Sequence, residues 1–255
     1  MKIATWNVNS LNVRLPHVLE WIKENQPDVL GLQETKQEDS KFPYEALAEA
    51  GYQSIHSGQK TYNGVAILSR HDMADIQLGI ADFEDIQKRV IAATIGGIRV
   101  VCAYVPNGQS LDSDKYQYKL GWLNALSNWL AGELVKYPKL VLLGDYNIAP
   151  EDRDCHDPAA WIGQVLVSEP ERAAFKRLQD LGLHDSFRLF EQTEGSYSWW
   201  DYRMAGFRRN LGMRIDHILV SSPLVADCKA SWIDKAPRKL ERPSDHTPVV
   251  LDIQT

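Results

Sequence analysis

The sequence predicts a mixed α/β (α+β) fold in which helices cover β-sheets, and three observations predict it. Short apolar runs bounded by turn residues recur along the chain, as strands do. Between them lie segments whose apolar residues return every three or four positions, as on one face of a helix. The pattern runs from end to end with no internal repeat, low-complexity tract or Gly/Ser linker, so a single domain over residues 1–255 is the simplest organisation.

Residues 2–8 read as a strand with Ile3, Trp6 and Val8 as packing residues. Residues 15–25 read as a helix, because Leu15, Val18, Leu19 and Ile22 share one face. Pro16 suits the first turn of that helix, and Pro27 disfavours helix at the residue before it. Residues 28–33 form an apolar strand that delivers Glu34 at its end, and 42–50 a short helix closed by Gly51. Strands follow at 52–57, 64–69, 90–95 and 98–105, the last two joined by the hairpin pair Gly96-Gly97. Residues 115–136 carry Leu120, Leu123, Leu126, Leu130 and Leu134 and predict a long helix that stops before Pro138. The apolar strand 140–143 runs into Gly144-Asp145-Tyr146-Asn147. A helix at 170–181 precedes Gly182, and strands at 197–200, 214–221, 226–232 and 247–253 complete the chain.

Composition narrows the function. The chain is 44% hydrophobic and 24% charged, an ordinary globular mixture with enough residues for one large core. No run approaches the ~18 apolar residues of a membrane span. The first residues lack the apolar core of a secretory leader, so a cytoplasmic protein with no membrane partner is expected. Cys102, Cys155 and Cys228 are odd in number and widely spaced, which predicts neither a disulfide framework nor a zinc motif. A net charge of −6 argues against a simple basic coat on nucleic acid. It leaves DNA open as a substrate, because a carboxylate-rich centre can sit inside a basic rim.

The polar residues fall at the ends of apolar strands. Glu34 follows one, Asp145 and Asn147 follow another, Asp216 lies at the head of a third, and Asp245-His246 leads into the last; the first strand adds Asn7. Singly, each has an ordinary reading as a turn or loop residue. Gathered at one sheet edge, four carboxylates would repel one another and raise each other's pKa. A hard divalent cation, Mg²⁺ or Mn²⁺, relieves that conflict and takes oxygen ligands. Because Mg²⁺ commonly keeps an open side for a phosphate, the pattern predicts a phosphate ester as substrate.

Longer motifs sharpen this. Thr5-Trp6-Asn7-Val8-Asn9, Leu32-Gln33-Glu34-Thr35-Lys36, Ser57-Gly58-Gln59-Lys60 and Gln87-Lys88-Arg89-Val90 occur in that order. They are followed by Tyr104-Val105-Pro106-Asn107-Gly108, Gly144-Asp145-Tyr146-Asn147, Trp199-Trp200-Asp201-Tyr202-Arg203, Arg214-Ile215-Asp216 and Pro243-Ser244-Asp245-His246. Through these segments, spread over nearly the whole chain, the sequence resembles the exonuclease III family of DNA-repair nucleases. The resemblance implies a four-layer αββα sandwich of two packed mixed sheets with helices outside. It implies a Mg²⁺- or Mn²⁺-dependent phosphodiesterase acting as a monomer on double-stranded DNA, including abasic sites and blocked 3′ ends. The expected activities are 3′→5′ exonuclease, 3′-end cleaning and abasic-site incision.

It also implies roles. Glu34 would be the principal metal ligand, with Asn7 beside it and Asp145, Asn147, Asp245 and His246 completing the metal set. Asp145 would orient and deprotonate the attacking water, and Asn147 would hold the scissile phosphate. His246, oriented by Asp216, would polarise the phosphate, and Tyr104 would contact it. One-metal and two-metal arrangements both accord with this set. Two other readings stand beside it: a relative that hydrolyses RNA, inositol phosphates or phospholipid headgroups, and a catalytically silent binding relative. The last is disfavoured because Glu34, Asp145, Asn147, Asp216 and His246 are all present.

The stretch 202–214 holds four arginines, Arg203, Arg208, Arg209 and Arg214, and no acid. With Trp199, Trp200, Tyr202 and Phe207 it mixes cations and aromatics, which suits phosphate contacts and packing on an exposed sugar or base. The resemblance makes Trp199 the first choice, and Trp200 the second, for the wall of a pocket for a sugar lacking its base. Lys60, Arg89, Asn107, Lys115 and Lys119 are further candidates for contacts along the duplex. His17, His56, His71, His156, His184 and His217 carry no motif and are expected to be surface or structural. The segment 152–170, with Val165-Leu166-Val167, falls outside every motif and leaves the balance of activities open.

Overall fold

The computed structural model describes residues 1–254. Its first sheet has the strand order β13-β14-β1-β2-β4-β3, formed by β1 (Lys2–Asn7), β2 (Val29–Gln33), β3 (Gln53–Ser57), β4 (Val65–Ser69), β13 (Cys228–Ile233) and β14 (Val249–Ile253). The second has the order β5-β6-β7-β8-β12-β9, formed by β5 (Met73–Leu78), β6 (Val90–Ile95), β7 (Ile98–Tyr104), β8 (Leu140–Asp145), β9 (Leu183–Asp185) and β12 (Asp216–Ser221). Both are mixed, with β1–β2 and β7–β8 parallel and the other pairs antiparallel. A two-stranded ribbon pairs β10 (Trp199–Trp200) with β11 (Gly212–Met213).

Three apolar interfaces stack these layers. Ile3, Val65, Ile67, Val100, Cys102, Val141, Leu143 and Ile218 fill the space between the sheets. Gly31 permits that packing: a Cβ there would lie 2.2 Å from Leu143 Cδ1. The outer face of the second sheet meets α3 (Asp114–Lys136) and α4 (Glu169–Asp180) through Leu123, Leu126, Leu130, Phe175 and Leu178. The outer face of the first meets α1 (Leu11–Asn25) and α2 (Tyr44–Glu49) through Trp6, Val18, Trp21, Ile22 and Leu47. The layers run helix, sheet, sheet, helix. Cys102, Cys155 and Cys228 are buried and free, and among the described residues no helix is long and apolar enough to cross a membrane.

Several elements depart from the periodicity. The first helix starts at Leu11 rather than residue 15, so Pro16 lies inside it. Its start is held by tertiary contacts that periodicity does not report: Ser10 N and Leu11 N donate to Glu34 O and Thr35 O at 2.8 and 3.0 Å. β5 was not anticipated because it is an edge strand with exposed Ala74, Asp75, Ile76 and Leu78, which hides any alternation. β9 is only three residues long. The strand expected at 197–200 shrinks to Trp199–Trp200, and a four-residue helix, α5 (Gly206–Arg209), occupies the basic stretch.

Candidate active site

Strand register gathers the polar ends. In the second sheet Tyr104 at the end of β7 lies beside Asp145 of β8, and Asp145 lies opposite Asp216 of β12. In the first, Asn7 of β1 lies beside Gln33 of β2, which presents Glu34 at the next residue. His246 enters from the segment before β14 through a bridge to Trp199. Gly144 allows the close approach at this edge, since a Cβ there would fall 1.8 Å from Ala103 O.

Ligand atoms of Glu34, Asp145 and His246 lie within 4.8 Å of one another. Asn7 bridges the carboxylates, its Nδ2 donating to Glu34 Oε1 and Asp145 Oδ2 at 2.9 Å each. Lys36 Nζ reaches Glu34 Oε2 at 2.9 Å and Asn9 Oδ1 at 2.7 Å. Asp145 Oδ1 accepts the backbone N–H of Asn147 at 2.9 Å. His246 Nδ1 lies 2.9 Å from Asp216 Oδ2, which also accepts Ser198 Oγ–H at 2.6 Å. That leaves Nε2 on the Asp145 side, 3.7 Å from Oδ2.

Burial sets the ionisation. It pushes the Asp145 carboxyl above the usual carboxylate range; His246 pulls it back and Asp216 pushes it further up. Burial also opposes charge on His246, but Asp216 and Asp145 overcome it and hold the ring protonated well above the ordinary histidine range. Burial, then Glu34 and Asp145, keep the Tyr104 hydroxyl protonated. The site thus presents carboxylate oxygens on one side and N–H or O–H donors on the other. A phosphodiester facing these carboxylates needs a cation between them, and the close oxygen donors of Glu34 and Asp145 fit a hard divalent ion.

The expected metal set is only partly gathered. Asn7 turns its amide oxygen to Asn9 N, at 2.9 Å, and its nitrogen to the carboxylates, so it orients ligands rather than offering an oxygen. Asn147 has both amide atoms engaged, Nδ2 on Val105 O at 3.0 Å and Oδ1 receiving Asn107 Nδ2 at 3.1 Å. Asp245 lies outside the cluster, its oxygens accepting Asn9 Nδ2 at 2.9 Å and Trp199 Nε1 at 3.0 Å. His246 lies in the cluster with Glu34 and Asp145.

The DNA candidates also divide. Lys60, Asn107, Lys115, Arg203, Arg208 and Arg209 are exposed, and Arg203 pairs with Asp201. Trp199 lines an apolar cavity of about 340 Å³ with Trp161, Met204, Leu211 and His156. Trp200 has no exposed surface; it packs edge-on to Phe207 and donates to Asn210 Oδ1 at 3.1 Å, so it supports the ribbon and offers DNA nothing. Arg89 is buried with its guanidinium 4.7 Å from the Tyr104 ring centre, bracing that residue. Lys119 is fully buried, its ammonium engaged by Asn147 O, Asn107 O and Glu171. Arg214, in the link between β11 and β12, is buried and paired with Asp154 and Asp185. A groove of about 730 Å³ on the other side of Tyr104 carries Tyr62, Ile86 and Lys115.

Sequence reasoning missed Lys36, Ser198, Asn9 and the cavity residues Trp161, His156 and Met204. Asn9 and Lys36 lie in motifs already noted; the others have no sequence signal, because only folding brings them to the site. Of the unassigned histidines, His217 is buried behind the site, with Nδ1 3.0 Å from Arg214 Nη1 and Nε2 2.8 Å from Ile148 O. Burial and then Arg214 lower its pKa to about 4. Because this folded value lies below the unfolded one, the stability it confers is complete above ~6.5 and is lost as pH falls toward 4, on the order of 3 kcal/mol at most. Urea midpoints measured from pH 7 to pH 4.5 should therefore fall more steeply for the parent protein than for His217→Gln; parallel curves would dismiss the contribution.

Comparison with known proteins agrees with this geometry. The profile of the Endonuclease/Exonuclease/phosphatase family matches residues 4–246. Exodeoxyribonuclease III of Haemophilus influenzae is 41% identical, over 98% of each chain. Among solved structures, a 3′ phosphatase from Neisseria, NExo, bound to a product DNA hairpin superimposes with a TM-score of 0.98 at 50% identity over the whole of both chains. An AP endonuclease from Archaeoglobus fulgidus gives 0.96 at 41% identity, again over both whole chains.

Proposed function

The chain belongs to the endonuclease/exonuclease/phosphatase family, and from that premise we propose that it is a divalent-metal-dependent DNA phosphodiesterase of the exodeoxyribonuclease III kind. On this reading residues 1–255 form one catalytic domain. It works in DNA repair as a cytoplasmic monomer, trimming duplex DNA 3′→5′, clearing blocked 3′ ends and incising abasic sites. The observation that carries the reading is the convergence of Glu34, Asp145 and His246 from both sheets, with Asp216 behind the histidine.

The geometry supports a role for each of these residues. Asp145, pushed toward basicity by burial, takes the proton of the attacking water at a carboxylate oxygen, while Asn147 N and Asn7 Nδ2 hold its orientation. His246 Nε2–H and the Tyr104 hydroxyl donate to the phosphoryl oxygens as negative charge grows there. Asp216 fixes the imidazole through Nδ1 and stabilises its charge. Glu34 and Asp145 would hold Mg²⁺ or Mn²⁺, which when bound neutralises phosphoryl charge and eases departure of the 3′ oxygen. Trp199 and the exposed Lys60, Arg203, Arg208 and Arg209 supply stacking and phosphate contacts along the duplex.

The deciding experiment incubates the pure protein with blunt, recessed, 3′-phosphate and abasic duplexes, with Mg²⁺ or with EDTA, beside RNA and an inositol phosphate. Mg²⁺-dependent cleavage of the DNA substrates, abolished by EDTA, is expected. Preferential hydrolysis of RNA or the inositol phosphate, or no DNA cleavage at all, would sink the proposal.

A further inference from the structure

Resting on that reading, we propose that the buried Lys119–Glu171 ion pair is a positioning device for the two site asparagines, Asn107 and Asn147, and through them for Asp145. Lys119 projects from α3 and Glu171 from the first turn of α4, and neither has any exposed surface. An ammonium has three protons, and each finds an acceptor here: Asn147 O at 2.7 Å, Asn107 O at 3.1 Å and a close Glu171 Oε1. Glu171 in turn accepts Leu166 N at 3.0 Å and Ser168 N at 3.1 Å. One ion pair therefore ties two site loops to two helices.

The connection to the reacting centre is short. Asn147 sits in left-handed backbone, φ 48°, which asparagine tolerates and which turns its carbonyl and N–H toward different partners. Its carbonyl is the one Lys119 takes, its N–H holds Asp145 Oδ1, and its side-chain oxygen holds Asn107. Releasing the carbonyl would let the turn relax and swing the N–H that aims Asp145. A buried charge pair is also a poor device for stability alone, since an apolar pair of similar volume avoids the desolvation of two ions. What it supplies is direction: three fixed hydrogen bonds that converge beneath the turn. The same pair reaches, through Leu166 and Ser168, the segment that carries Trp161 to the cavity beside Trp199.

The test is the double variant Lys119→Met/Glu171→Gln, which removes both charges and leaves an amide to accept from Ser168. Its thermal midpoint should stay near the parent value, whereas Lys119→Met alone, with an unpaired buried carboxylate, should melt lower. With Mg²⁺ and a 3′-recessed duplex, kcat of the double variant should fall about 10- to 100-fold, with KM within about threefold. Amide hydrogen exchange at Asn107 and Asn147, followed by NMR without DNA, should quicken by about tenfold or more. Unchanged exchange, wild-type kcat, a loss confined to KM, or failure of the double variant to fold would each overturn the proposal. A parent protein that cleaves no DNA would instead defeat the functional reading, and the exchange rates would still judge the positioning role.

Discussion

Asp145→Asn should lower the single-turnover rate on a 5′-labelled duplex by about 10³-fold, some 4 kcal/mol of transition-state stabilisation, while duplex affinity changes less than about twofold. The substitution keeps size and keeps an oxygen to accept Asn147 N, but removes the buried carboxylate that, among the described residues, clusters with Glu34 and His246. Its new amide nitrogen would face Asn7 Nδ2, so that one hydrogen bond is lost while Asn7 keeps its bonds to Glu34 Oε1 and Asn9 N. Folding should not suffer. In the parent protein burial disfavours the charged carboxylate, His246 favours it, and Asp216 disfavours it further, so losing the charge leaves the melting temperature close to that of the parent. Rapid-quench hydrolysis, fluorescence anisotropy and calorimetry measure the three quantities. A variant that kept more than a tenth of the parent rate would remove Asp145 from the role of base.

The second large effect is expected at the cation site. Glu34→Ala should raise the Mg²⁺ concentration needed for half-maximal hydrolysis by at least about tenfold, because Glu34 supplies one of two carboxylates facing the shared space. A measurement independent of turnover is available. An ion that binds only the folded protein stabilises it by about 2.7 kcal/mol at a hundred times its Kd. Mn²⁺ should therefore raise the melting temperature of the parent protein, and this increment should largely vanish in Glu34→Ala. Lys36, freed from its 2.9 Å contact with Glu34, is left without that partner but remains on Asn9. An unchanged Mg²⁺ titration together with an undiminished Mn²⁺ increment would dismiss Glu34 as a ligand.

Much of the architecture was written in local pattern. The long helix over 114–136, the strands around Glu34 and Asp145, and the final strand after His246 all followed from apolar periodicity and from the turn residues beside them. Elements whose limits depend on partners were not legible. The first helix begins where β2 ends because Glu34 and Thr35 carbonyls receive its first N–H groups. β5 carries too little buried surface to show a period.

For the site, position at strand ends made Glu34, Asp145, Asp216 and His246 candidates, each with an ordinary turn or loop reading, and the ordered motifs of the family resemblance singled them out. Direction was a different matter. Arg89, Lys119, Trp200 and Arg214 have the chemistry of DNA contacts, yet all four are buried: Arg89 packs on Tyr104 at the wall of a groove, Lys119 holds Asn147 O, Trp200 packs on Phe207 and Arg214 pairs with Asp154 and Asp185. Sequence determines which groups a chain carries and the periodicity that builds its layers, since both are local properties. Only tertiary packing decides which face of a residue meets solvent and which amide atom meets a carboxylate, since those depend on partners distant in the chain.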